Sequence, residues 1–348
     1  MTRVLVTGAT GHIGANIVRD LLAHDYDVVP LARSSSSRAA LAGLDLNERI
    51  GDILDRNSLR AAMEGCDQVI HAAAVYQLWA PDPDDIIRPA VEGTRNVLLA
   101  AEDAGIKRIV CTSSIAAIGY SEDPKRPLDE SSWNDRARSP YIRGKTEGER
   151  LAFELASELN LEVVTVLPVG VLGRFDYRKT PTTAGVVDSF AGKGPVIAAA
   201  TVCDVRDVAR AHVLALEKGT PGERYIAGGD TLSMAEQIDL IEQIGGRRPK
   251  AGLPPKAVLW PAAALMEAIA RLTGKPPLIT RDSIHDVLGR HFVYDTSKIR
   301  DQLGLEPRDA RTVLEETARW AAFMGWLDGD LGEDLRKRYP PDQDWVRP

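Results

Sequence analysis

Six apolar runs rich in β-branched residues, separated by stretches of helical period, restrict this chain more than any other feature: "RVLVTG", "DVVPLAR", "ERIGDI", "DQVIHAAA", "KRIVCTSS" and "EVVTVLPVGVLG". Between them, Ile13 to Ala23 predicts a helix with Ile13, Ile17 and Leu21 on one face. Further helices are expected at Ser58 to Glu64, capped by Ser58 or Asn57, at about Asp84 to Asp103, and from Pro140 to near Asn160. Strands that are apolar on both faces and joined through helices pair in parallel, because a parallel crossover must be long enough to hold a helix. The expected fold is α/β, a doubly wound parallel sheet. Ligands of such sheets sit at the carboxyl ends of the strands. The residues there are Gly8 to Gly14, Arg33, Asp52, Ala72 to Ala74, Ser113 to Ser114 and Pro168 to Gly173.

Beyond residue 170 the alternation loosens. "DVRDVARAHVLALEKG" reads as a helix and "ERYIAGG" as a short strand, so segments at about 200–228 are expected to return to the sheet. Ser233 and Glu236 form a capping box ahead of another helix. Pro and Gly crowd between Arg247 and Pro277 around a mostly apolar helix at about Ala257 to Leu272. Residues 1–170 are read as the sheet domain and 171–348 mostly as a smaller C-terminal substrate-binding region, a lid or second domain.

The composition, 44% hydrophobic and 27% charged, is that of an ordinary globular protein. The net charge of -7 is spread through the chain without a basic stripe, so no nucleic-acid partner is expected. The apolar stretch Ala257 to Ala270 is broken by Pro261 and Glu267, so no membrane span is expected. The chain enters a strand at once, without a secretory leader, and the expected location is cytoplasmic. Cys66, Cys111 and Cys203 are scattered and odd in number, and the histidines form no pair at ligand spacing; neither disulfide nor metal is expected.

Gly8, Gly11 and Gly14 follow the first strand and open the first helix. Glycine there allows a tight turn, lets backbone approach a pyrophosphate, and lets the helix pack against the sheet. The helix N-terminus then offers free N–H groups to the phosphates. This is a dinucleotide site. An NAD site places an acid at the end of the second strand; here Ala32 and Arg33 stand there with Arg38 nearby. Arginine can pair with a 2′-phosphate, which favours NADP(H) over NAD(H); the lesser alternative is that both are solvated surface charges. Asp52 is placed either for the adenine amino group or to cap the following helix.

"SPYIRGK" carries Tyr141 and Lys145 four residues apart, hence on one face of a helix, downstream of the hydroxyls of "TSS". An ammonium about 4 Å from a phenol supplies on the order of 4 kcal/mol at an effective dielectric of about 20. That would carry the phenol from a pKa of about 10 to near 7. A tyrosine so tuned moves a proton at neutral pH, while a serine holds the carbonyl oxygen on which charge develops.

Taken together, "TGATGHIG", "GDILD", "HAAA", "TSS", "YIRGK", "PVGVLG" and "DVRDVA" resemble the extended short-chain dehydrogenase/reductases, a Rossmann family, over residues 1 to about 220. "VYQLWAPDPDDIIRPAVEGTRNVLLAA" is most similar to its dihydroflavonol-reductase-like branch, including hopanoid-associated sugar epimerase-like proteins. The resemblance implies Tyr141 as acid/base, Lys145 as the residue that lowers its pKa and bonds the nicotinamide ribose, and Ser114 as the carbonyl-positioning serine. Ser113 takes that part if the register is off by one. It also implies cofactor contacts from Thr10, His12, Ile13, Ile53, Ala72, Ala73, Ala74, Pro168, Val169, Gly170 and Val171. His71 and His212 are read as packing residues. Pairing into a homodimer through the helix of Tyr141 is left open, against that helix facing solvent along its charged side.

The family hosts reductases, epimerases and dehydratases. Dehydratases carry an acidic pair just after the strand-five hydroxyl, where this chain has Ile115 and Ala116. Sugar-nucleotide epimerases usually place asparagine where Leu167 and Ala90 stand. The expectation is an NADPH-dependent reductase of an aldehyde or ketone, or the reverse alcohol dehydrogenase, with an NAD(P)-dependent sugar epimerase as the alternative and a non-catalytic NADP(H) sensor behind both. Val75, Tyr76, Trp79, Val169, Val186 and Phe190 are candidates for the pocket wall, or else simple core.

Overall fold

The computed structural model describes residues 1–327, 329–343 and 345–347. In its first half β1 (Arg3–Thr7), α1 (His12–Ala23), β2 (Asp27–Ala32), β3 (Arg49–Ile50), α2 (Arg56–Met63), β4 (Gln68–His71), α3 (Asp84–Asp103), β5 (Arg108–Thr112), α4 (Pro140–Leu159) and β6 (Glu162–Pro168) follow in turn. Next come β7 (Gly170–Leu172), α5 (Pro181–Phe190), β8 (Pro195–Val196), β9 (Ala200–Asp204), α6 (Val205–Lys218), β10 (Arg224–Ala227), β11 (Thr231–Leu232) and α7 (Met234–Gly245). The chain ends with β12 (Lys250–Ala251), α8 (Lys256–Thr273), α9 (Arg281–Val287), α10 (Ser297–Leu303), α11 (Ala310–Phe323) and α12 (Gly329–Arg338).

Seven strands form one parallel sheet in the order β10-β6-β5-β4-β1-β2-β3. Helices cover both faces, and two apolar clusters, one per face, fill the space beneath them. The order reverses between β1 and β4, and the crevice that opens at such a reversal is where this fold takes its ligand. Pro30 is tolerated within β2 because β3 reaches only Leu31 and Ala32, which leaves Pro30 without a neighbour on that side.

Three local expectations are corrected. The third run shortens to two residues, since the chain turns at Gly51 after one more bond to the Ala32 carbonyl. Asp55, neither Ser58 nor Asn57, caps α2, its carboxylate accepting from the amides of both. The sixth run, continuous in sequence, is two strands: β6 stays in the main sheet, whereas β7 pairs with β9 in a separate three-stranded sheet completed by β11. Periodicity cannot mark that break, because the residues on either side of it, Val166 to Leu172, form one run without a polar residue. The capping box at Ser233 and Glu236 is present. All three cysteines are unpaired and buried, and burial pushes the Cys111 thiol up to about 12. No described helix is long and apolar enough to cross a membrane.

Candidate active site

At the end of β1 the chain turns through Gly8, whose φ of +68° favours glycine. A Cβ on Gly8 would lie 2.6 Å from the Ala73 amide nitrogen, so the β1 and β4 loops meet backbone to backbone. A Cβ on Gly14 would lie 2.1 Å from the Gly8 carbonyl oxygen, which is how α1 packs so close to the turn. Gly11 is the N-cap of α1 and no side chain caps it, leaving the first N–H groups directed at the crevice. This uncapped cradle fits the pyrophosphate of a dinucleotide. Thr10, Ile13, Ala72 and Ala73 flank it, partly buried, with Ala74 exposed. The His12 side chain is turned inward, its Nδ1 4.0 Å from Asp176 and its Nε2 buried without a partner, so what His12 offers the crevice is backbone. Burial lowers its pKa against the pull of Asp176.

At the end of β2 the two arginines divide. The Arg38 guanidinium bonds to Glu48 at 2.7 Å and to the carbonyls of Arg33 and Ser36, so it staples its own loop. Arg33 is exposed and makes no side-chain bond among the described residues. A sequence cannot separate the two, because the difference lies in Glu48 folding back onto Arg38. Asp52 closes a turn by accepting from the Leu54 amide at 2.9 Å, and it does not cap α2. Ile53 packs where Gly93 of α3 leaves room for it and accepts from Asn96 through its carbonyl.

Tyr141 and Lys145 sit in the first two turns of α4, which begins with Pro140 and has Ser139 as N-cap. The cap is completed from far along the chain. Asp286 of α9 accepts from the Ser139 amide at 2.8 Å, from its hydroxyl at 2.6 Å, and from the Arg138 amide at 3.1 Å. Ser114, just past β5, lies close enough to the Tyr141 phenol to favour its ionised form, and accepts from the Ala116 amide at 3.1 Å. Ser113 is buried with its hydroxyl unpartnered, so the structure brings Ser114 to the tyrosine. Tyr76 lies against Tyr141, ring centroids 5.0 Å apart, and its hydroxyl meets Thr182 of α5 at 2.8 Å.

The electrostatics depart from the simple pair of charges expected from the spacing. Burial raises the Tyr141 pKa well above the ordinary phenol value, with Tyr76 and Tyr120 adding to the rise and Ser114 opposing it. Spacing alone leaves out desolvation, which is the largest influence on this phenol, and the expected pull of Lys145 is not among the influences felt there. Lys145 is itself lowered to about 8, by burial against the opposing pull of Glu149 and Cys111, and its Nζ donates to the Thr112 carbonyl at 3.0 Å. Thr112, the first residue of "TSS", carries no signal in the sequence that marks its carbonyl as the partner of Lys145. Its own hydroxyl meets His212 Nε2 at 2.7 Å, while His212 Nδ1 lies 2.7 Å from the Val208 carbonyl. His71 meets Thr7 at 2.8 Å; burial lowers it to about 3, and His212 to about 4, so both are neutral packing groups.

Tyr76, Val75 and Trp79 lie in the loop after β4. Phe190 is fully buried in α5 against α7 and Val169 belongs to the main core, so these two follow the core reading, while Val186 is partly buried against the same cluster as Phe190. Pro168 is buried in β6, and Gly170 and Val171 are tied into β7.

A family model described as NAD dependent epimerase/dehydratase family matches residues 4–228. The chain belongs to that family. It is 34% identical over 330 residues, 92% of this chain and 95% of the other, to a protein of Synechocystis sp. provisionally named dihydroflavonol 4-reductase. It is 36% identical over 263 residues, 71% of this chain and 77% of the other, to cinnamoyl-CoA reductase 1 of Oryza sativa subsp. japonica. Among solved structures, that of gox2253 superposes with a TM-score of 0.82 at 32% identity, covering 94% of this chain and 100% of that one. This member of the epimerase/dehydratase family is thus an NAD(P)-dependent enzyme with the extended short-chain dehydrogenase/reductase fold.

Proposed function

We propose that the enzyme reduces an aldehyde or ketone with NADPH, with Ser114, Tyr141 and Lys145 as the reacting constellation. The observation that carries this is a phenol that burial keeps protonated, with Ser114 beside it and Lys145 one turn further along the same helix. A proton donor must hold its proton in the ground state, and reduction of a carbonyl needs a donor. When bound, the dinucleotide supplies a hydride to the carbonyl carbon. Ser114 then donates a hydrogen bond to the carbonyl oxygen, Tyr141 gives that oxygen its proton, and the Lys145 charge one helical turn away steadies the phenolate left behind. Tyr76, lying on the Tyr141 ring, excludes water from one side. Leu167, where an epimerase would hold a diphosphate, is buried in the core beside Ile226, which supports reduction over sugar-nucleotide epimerisation.

The unpaired Arg33 supports NADPH as the reductant, through a charge-assisted bond to the 2′-phosphate. Oxidation of NADPH in step with loss of an aldehyde or ketone is the expected result. Arg33→Ala should raise the KM for NADPH on the order of 10-fold or more while leaving that for NADH within about twofold, the loss of one such bond. Equal changes for both cofactors would reject the assignment, and isomerisation of a sugar nucleotide without net NADPH loss would reject reduction.

Lys145 also sets a pH dependence. Its folded value of about 8 lies below its ordinary 10.5, so the amine is charged below that pH and neutral above it. The profile of kcat/KM should therefore fall as pH rises through about 8. Stability should move the other way: between about 8 and 10.5 the unfolded chain binds more protons at this group, so its contribution to stability rises with pH. A profile flat through that window would mean that the lysine charge plays no part.

A further inference from the structure

The side of α8 turned away from the protein is apolar. The helix rests on the fold through Leu259, Ala263 and Ala270. On the opposite side Val258, Leu265, Ile269 and Leu272, spaced by seven, four and three residues and so on one face, are 59%, 64%, 50% and 88% exposed. Leu278, in the loop that follows, is 89% exposed. Single exposed apolar residues are ordinary, but a contiguous stripe along a helix marks a surface that something covers.

The charge around the stripe indicates what covers it. The whole chain carries -7, yet between Arg247 and Arg281 seven Lys and Arg residues stand against a single acid, Glu267. Glu267 is already neutralised, its carboxylate bound to the Arg281 side chain at 2.8 Å and to the Arg281 amide. Lys250, Lys256, Arg271 and Lys275 keep their charge free, with no ion-pair partner among the described residues. Beside the helix, Arg138, Lys256, Ala257, Trp260, Arg281 and His285 line a cavity of about 580 Å³. A second copy of the chain would set this positive region against itself and be repelled. An exposed apolar stripe in a cation-rich stretch of chain, on a helix that contains Pro261 and is not apolar enough to span, is the pattern of a helix lying in the plane of an anionic membrane surface.

We propose that α8 docks the enzyme on an anionic lipid bilayer, Val258, Leu265, Ile269 and Leu272 entering the headgroup boundary while the flanking Lys and Arg meet lipid phosphates. Each cation that reaches the surface raises partitioning on the order of fivefold, and salt screens the effect.

The test is sedimentation of the full-length protein with vesicles of phosphatidylcholine alone or mixed with phosphatidylglycerol. The protein should pellet with the mixed vesicles, stay in solution with the neutral ones, and be released by high salt. Leu265→Asp combined with Ile269→Asp should cut pelleting by more than 10-fold, while the melting temperature holds because both positions are exposed. A second variant, Arg271→Glu with Lys275→Glu, should cut it without touching the apolar stripe. Wild-type protein that does not pellet with either vesicle, or a Leu265/Ile269 variant that pellets like wild type, would overturn the proposal. So would a wild-type dimer in solution that the same variant converts to a monomer, which would assign the stripe to a second copy.

Discussion

Tyr141→Phe should lower kcat by roughly 10²- to 10⁴-fold, the range over which a positioned proton donor acts, while dinucleotide affinity stays within about twofold. The two effects separate because the cradle at Gly8 to Gly14 and the phenol lie on different elements, α1 and α4. Phenylalanine keeps the ring that packs on Tyr76 and loses only the hydroxyl, on which Ser114 acts. A structural effect would instead appear as a lower melting temperature or weaker cofactor binding, both measured on the same sample. Turnover at wild-type rate would remove Tyr141 from the chemistry. Loss of cofactor binding together with turnover would show that the residue holds the site together rather than giving a proton.

Glu149→Ala should destabilise the fold by about 3–5 kcal/mol, measured by chemical denaturation, because it strands a buried charge. Glu149 stands one turn beyond Lys145 on α4, buried, and holds Arg224 of β10 through bonds of 2.9 and 3.1 Å. It also accepts from the Thr165 hydroxyl at 2.7 Å. Arg224 is committed further, to the carbonyls of Glu130 and Ser132 at 2.7 Å and to the face of Trp133 at 3.7 Å. Replacing Arg224 by Met in the same protein should restore most of the loss, since a buried pair replaced by apolar groups costs little. An unchanged denaturation midpoint in the single variant would show that the pair carries no weight. The substitution has a second consequence. Glu149 raises the Lys145 pKa, so without it the falling limb of the pH profile should move below 8. That shift is one a purely structural role for Glu149 would not produce.

Much of the site could be read from the chain because its chemistry is local. The glycine turn depends on neighbours within seven residues, and Tyr141 and Lys145 on one helical turn. What escaped depends on partners far away. Asp286, which caps α4, lies 147 residues from Ser139, and nothing in its surroundings marks it. Phe190 and Val169, read as wall, differ from Tyr76 only in which way their backbones carry them, into the core or towards the tyrosine. Arg33 and Arg38 are five residues apart and alike in sequence, and Glu48 alone tells them apart.

The sequence by itself determined the parallel α/β sheet, the turn at the end of β1 and the identity of the groups that gather at the strand ends, because periodicity, glycine geometry and helical spacing act over a few residues. Only the tertiary structure decided how those groups are charged. The phenol rises where an adjacent ammonium was expected to lower it, because desolvation is summed over every atom packed around the ring and the sequence does not say which atoms those are.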